Sequence, residues 1–300
     1  VRQSIAALAV GFALLASPVY ARGDACPPSG MDKAKLLSLK SANWEIADAD
    51  ARDRLVIEVT QCLGSPDPVL RDEIAFEALY HYLRGGLVSD AAKVRLASKL
   101  QAQMAGPDPQ GFRRPFAALA LAEVARADRI AAFLTPEQRK SMLESATGYM
   151  RSISDYRGFD PQAGYRHAVA HASDLMLQLV LNPALGRDDL VSIRDALASQ
   201  IAPRGQSYIT GESERLVRPI LFMAQRGVFS EAEWTAWFAQ VAGPGELGTW
   251  DNWFRNTDGI SRKHNLSGFL SLIYVNVDLA ENPGLAALRP VVTQAIKSLP

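Results

Sequence analysis

Apolar side chains recur along most of the chain at three- and four-residue intervals, the period of a helix with one buried face, and no convincing run of alternation marks a strand. Asp67 and Pro68 open the stretch "PVLRDEIAFEALYHYLR", which stops at Gly85 and Gly86, and Cys62 closes a helix before it. Ser89 opens the next helix. Thr135 with Gln138, and Ser230 with Glu233, have capping-box spacing, in which each side chain satisfies an otherwise unpaired amide, and Pro136 takes the first helical position. Further helices are predicted over about 112–127, 136–154, 165–181, 188–201, 211–226, 231–241, 260–281 and 285–298. About ten helices joined by short Gly, Pro and Asp turns, with no low-complexity linker, predict one all-α domain over residues 22–300 with an N-terminal arm at 22–31.

Within this pattern "SPDPVLRDEIAFEALYHYL" resembles a HEAT-type repeat: Asp-Pro, an Arg-Asp pair, then an Ala-rich apolar helix. A helix pair of this kind cannot bury its own apolar face, so antiparallel pairs stack into an α-α superhelix of the HEAT or armadillo type. A compact helical bundle is the alternative architecture.

The N-terminus departs from the helical period. Arg2 precedes the apolar run "IAALAVGFALLA", and "SPVYA" places small residues Val19 and Ala21 at recognition positions, so residues 1–21 read as a secretory signal peptide cleaved after Ala21. The run is shorter than the roughly 20 apolar residues that span a bilayer, and no later segment reaches that length. A periplasmic or secreted location follows. Cys26 and Cys62 are the two cysteines of the chain, and export to an oxidising compartment predicts a disulfide between them.

Lys plus Arg and Asp plus Glu both number 32, so the formal net charge is zero and no basic field exists to attract a phosphate backbone. Nucleic acid is thereby excluded as the expected partner.

Two stretches resemble a family of bacterial proteins, the "domain of unknown function 2785" family. One is "GFRRPFAALALAEVARAD" at 111–128, with Phe-x-Arg-x-Phe; the other is "DYRGFDPQAGYRHAVAHASDLM" at 155–176, with Asp-x-Arg-Gly and Gly-x-x-His-x-x-x-His-x-x-Asp. "RKHNLSGFLSLIY" at 262–274 is similar as well, and the likeness spans residues 32 to 275. Tyr165 stands where the family has Trp, and Pro115 where it has Ser. The resemblance implies a helical-repeat fold and, by the family's own wording, no established activity.

The second stretch also holds the densest chemistry. On a helix His167, His171, Asp174 and Gln178 fall within about 60° of one another, while Val169, Met176 and Val180 point the other way. Residues 167–186 carry the single charge of Asp174, which is unlike an exposed helix face. A buried polar stripe must find partners. It lines a cavity or joins an internal network; a solvated face is the third option.

His-x-x-x-His can place two imidazoles on one divalent metal such as zinc, but Ala168 occupies the position of the zinc-protease glutamate. Asp174 lies about 10 Å from His167 along the axis, too far to complete a triad of ligands. Any metal at His167 and His171 therefore needs Asp155, Asp160, His81 or His264. Without metal, His171 or His167 beside Asp174 makes a general acid-base pair, and these three are the candidate catalytic residues. No Gly-x-Ser-x-Gly elbow supplies a nucleophile.

Asp155, Arg157, Asp160, Arg114 and His264 are candidate ligand-binding residues, with Arg113 beside Arg114 as a second guanidinium for an anion. Ordinary turn and capping chemistry is the competing account of the 155–160 loop. Trp250, Trp253 and Phe254 could line a carbohydrate or peptide groove, though such clusters are more often core. "DGISRKHN" at 258–265 is a basic helix start that could flank the site. The leading functional reading is an exported helical-repeat protein whose His/Asp pocket binds a small molecule or peptide. A metal-assisted or acid-base hydrolase of cell-envelope material is the alternative, and a structural scaffold the third.

Overall fold

The structure is a computed structural model that describes residues 26–300. The expected signal peptide at 1–21 lies outside the described residues. The described chain is all-α apart from one two-stranded hairpin.

Asp32 and Asp48 cap the short helices α1 (Lys33–Ser41) and α2 (Ala49–Glu58) by accepting from amides three residues on. A 3₁₀ segment, Val59–Gly64, follows. The helix predicted after Pro68 begins with a π-wound segment, Val69–Phe76, and continues as α3 (Glu77–Arg84). Then come α4 (Asp90–Ala105), α5 (Arg113–Ile130) and α6 (Pro136–Ser152). The hairpin strands are β1 (Phe159–Asp160) and β2 (Gly164–Tyr165). The remaining elements are α7 (Ala168–Val180), α8 (Arg187–Ala198), α9 (Glu212–Gln225), α10 (Glu231–Ala242), α11 (Thr257–Asp278), α12 (Pro283–Ala286) and α13 (Arg289–Lys297).

Both expected capping boxes form, at Thr135 with Gln138 and Ser230 with Glu233. The helix predicted over 285–298 is divided, because Pro290 has no amide to donate to the preceding turn and is accommodated in the first turn of a new helix, which starts at Arg289. The helix predicted over 165–181 starts at Ala168. His167 is its N-cap residue in the left-handed region, φ 54°, so it does not lie on the helical wheel with His171.

From α2 to α9 every second helix packs side by side. In one layer α5 lies between α3 and α7, α7 between α5 and α9, and α11 between α9 and α13; in the other, α4 lies between α2 and α6, and α6 also meets α8. Buried side chains from Leu36 to Ala295 join in one connected core. In α7 only Asp174 and Gln178 escape burial. Cys26 and Cys62 form the expected disulfide and tie the arm to the start of this core. No helix among the described residues is long and apolar enough to cross a membrane.

Candidate functional site

The two stretches singled out in the sequence meet around the start of α7. Asp108 folds the first of them. Its carboxylate accepts from the amides of Gly111, Phe112 and Arg114 at 2.9–3.1 Å and so caps α5. The side chains of that Phe-x-Arg-x-Phe run then diverge. Phe112 is held between two guanidiniums, with Arg71 4.1 Å and Arg166 4.4 Å from its ring centre. Arg114 donates to the Met104 carbonyl at 2.7 Å and the Ser152 hydroxyl at 2.8 Å. Phe116 meets the His171 ring edge to face at 4.8 Å.

The second stretch is fixed by Arg71, a residue the sequence reading did not select. Its side chain is fully buried and pairs with Asp72 through Nε and Nη2, while Nη1 donates to the Ser65 carbonyl at 3.0 Å and Nη2 to the Ala163 carbonyl at 2.7 Å. The last bond fastens the hairpin to the π-wound segment. Gly164 permits this approach, since a Cβ there would lie 3.1 Å from Arg71 Nη2. Asp160 accepts from the amides of Gln162 and Ala163, which hold its carboxyl below the ordinary 3.8 and form the turn. Asp155 is engaged by Arg157, the main cause of its own lowered pKa, and the pair lies over Gly111. These two aspartates perform the turn and ion-pair chemistry that competed with the ligand reading. Asp155 and Arg114 do line one cavity, of about 60 Å³, together with Ala168 at the start of α7. That volume suits a few waters rather than a peptide.

His167 and His171 come together with ring centroids 5.6 Å apart. Tyr165 lies across His167 at 4.1 Å, and Phe159 pairs with Tyr165 across the hairpin at 4.8 Å. Nε2 of His167 and Nδ1 of His171 are buried, and neither has a hydrogen-bond partner among the described residues. Burial drives the His171 imidazole well below its ordinary 6.5, and His167, Arg215 and Arg71 push the same way against the Pro115 backbone. Burial also lowers His167, with Arg215 adding to it and Glu212 and the Thr210 backbone opposing. Both rings are therefore neutral at neutral pH, each with one lone pair to offer.

Asp174 turns away from this pair. It accepts from Arg215 and faces Arg218 at 3.8 Å, both on α9; burial raises its carboxyl above 3.8 although the two guanidiniums oppose the shift. Gln178 accepts from Arg129 at 2.8 Å. The polar stripe thus divides into a satisfied half, Asp174 and Gln178, and an unsatisfied half, the two imidazoles.

The other candidate ligands stay apart. His81 lines a separate cavity of about 440 Å³ with Trp44 and Arg52. His264 Nε2 lies 3.2 Å from the Tyr208 carbonyl. No group of three or more His, Cys, Asp or Glu side chains that could hold a metal ion occurs among the described residues. In the basic stretch Asp258 pairs with Arg204, and Arg262 donates to the carbonyls of Val241, Gly243 and Ala202. Trp250 packs on the core, while Trp253 and Phe254 sit on the turn before α11, stacked with Lys263 and Arg255. Arg71, Thr210, Glu212, Arg215 and Phe116 are the neighbours of the site that sequence reasoning did not assign to it. Phe116 had a signal, the Phe-x-Arg-x-Phe run. Thr210, Glu212 and Arg215 had none, because nothing local ties them to residues some forty positions earlier.

No curated protein and no solved structure matches the chain. The model of the family described as "Protein of unknown function (DUF2785)" matches residues 100–275, more than half of the chain, and the matched span contains both stretches that meet at α7. The chain belongs to the DUF2785 family.

Proposed function

We propose that this chain is an exported helical-repeat protein that binds a small molecule or peptide at His167 and His171, beneath the hairpin at 159–165. The observation that carries the reading is the pair of buried, unpartnered imidazole nitrogens on adjacent rings. Buried polar atoms nearly always have partners, and leaving one without costs about 1–3 kcal/mol. A ligand hydroxyl or N–H group donating to these lone pairs would recover that cost. Phe159, Tyr165 and Ile209 are 57%, 44% and 85% exposed and supply apolar surface near the covered pair, with Tyr165 reaching it directly. Gly158, next to the hairpin, packs on Thr210, the residue after Ile209.

The disulfide supports an oxidising compartment, the periplasm or the exterior. The alternation of helices between two layers supports a HEAT-like array, and the unbroken core supports a single domain over 22–300. Binding is favoured over the hydrolase reading because Asp174, the carboxylate meant to orient an imidazole, is committed to Arg215.

Native mass spectrometry of the mature protein equilibrated with pools of short peptides and envelope saccharides tests the proposal. Compounds retained by wild type and lost in His167→Ala and His171→Leu are expected. Retention unchanged in the double variant, or none in wild type, would remove it.

A further inference from the structure

A cleft of about 790 Å³ opens at the α5 cap, between residues 61–66 and 99–113. Its size falls in the range of about 300–1,000 Å³ typical of ligand sites. We propose that this cleft is a second, separate binding site, which receives the C-terminal carboxylate of a short peptide on the guanidinium of Arg113.

The placement of Arg113 carries the argument. Its Nη1 donates to Oε1 of Gln61 at 3.1 Å, so a neutral carboxamide rather than a carboxylate holds it. Its side chain rests against the bare backbone of Gly64, where a Cβ would lie 3.0 Å from Nε and 3.1 Å from Nη2. The planar fork is therefore fixed in orientation while its charge is left for a ligand. Arg114, the next residue, is consumed by Met104, Ser152 and the face of Tyr149. Asp108, the one carboxylate on the cleft wall, has both oxygens engaged by the amides that start α5.

A fixed guanidinium fork matches a carboxylate through two parallel hydrogen bonds. The rest of the wall suits a peptide better than a bare anion. Gln110 brings a carboxamide and Gln103 a buried Oε1 with no partner among the described residues, both of which complement a peptide main chain, and Pro66, Pro107 and Pro109 offer apolar surface to its side chains.

The test uses the full mature chain with its disulfide intact and a random tetrapeptide pool, as free acids and as C-terminal amides, in equilibrium dialysis read by mass spectrometry. Free acids are expected to be retained about ten-fold or more over the amides, as the loss of a charge-assisted pair predicts. That preference should vanish in Arg113→Ala, return in part in Arg113→Lys, and survive in His171→Leu, which separates this cleft from the histidine centre. Circular dichroism melting verifies that each variant is folded. Equal retention of acids and amides, retention unchanged in Arg113→Ala, or no retention overturns the proposal. So does complete displacement by inorganic phosphate with no preference among peptides, the mark of a simple anion site.

Discussion

His171 is 7% exposed, neutral, and packed edge to face on Phe116, with one ring nitrogen unsatisfied. An apolar side chain of similar size removes the orphaned atom without opening a large void. His171→Leu is therefore expected to melt within about 1 kcal/mol of wild type, or above it, while ligand retention is lost. The imidazole also sets a pH dependence. Its folded pKa lies below the ordinary 6.5, so the unfolded chain binds the extra proton first. The stability it contributes is complete above 6.5 and is lost as pH falls below that value, with His167 acting in the same sense. Asp174, raised from 3.8, acts in the opposite sense at lower pH. Thermal melts between pH 7.5 and 5.5 should thus fall more steeply in wild type than in His171→Leu; parallel curves would refute this account. Arg71 is the opposite kind of residue, a buried charge with every direction used. Arg71→Ala leaves Asp72 and the carbonyls of Ser65 and Ala163 without their donor, at a cost of roughly 3 kcal/mol. Urea unfolding measures that loss, and hydrogen exchange should quicken across residues 159–166.

At the scale of elements, helix boundaries follow local chemistry where a cap is present. Thr135 accepts from the Gln138 amide and receives the Gln138 side chain in return, and Thr135→Ala should cost about 1 kcal/mol in denaturant unfolding. The helices that open at Ser89, Thr135 and Ser230 were legible for this reason. The start of α7 was not, because no cap announces it: its N-cap is His167 in a left-handed conformation, a choice stabilised by the Tyr165 ring and the hairpin rather than by its own sequence. The hairpin itself was missed since two-residue strands are too short to show an alternating pattern. Its order depends on the Asp160 turn and on a carbonyl bond from Arg71, 92 residues earlier.

Across the whole molecule, the continuous core predicts cooperative unfolding. Calorimetry of the oxidised protein should give one transition, and two resolved transitions would divide the chain into separate domains. The disulfide closes a separation of 36 residues, for which loop entropy gives about 4 kcal/mol. Reduction, or Cys62→Ala, is expected to lower the unfolding free energy by up to that amount, with the arm and α1 released first in hydrogen exchange.

The sequence by itself determined the all-α class, most helix spans, the capping boxes, the disulfide partners and the burial of α7. Each of these rests on spacing within one segment, on a cysteine count that admits one pairing, or on a run of residues nearly free of charge. Only the tertiary structure decided which polar groups meet. It sent Asp174 to α9 and Arg114 to the end of α6, gave Arg113 a neutral carboxamide in place of a carboxylate, and left two imidazole nitrogens without partners among the described residues. The reason is physical: a side chain's hydrogen bonds are shared out among groups brought together by packing, and helical period fixes the face a residue occupies but not what the facing helix offers it.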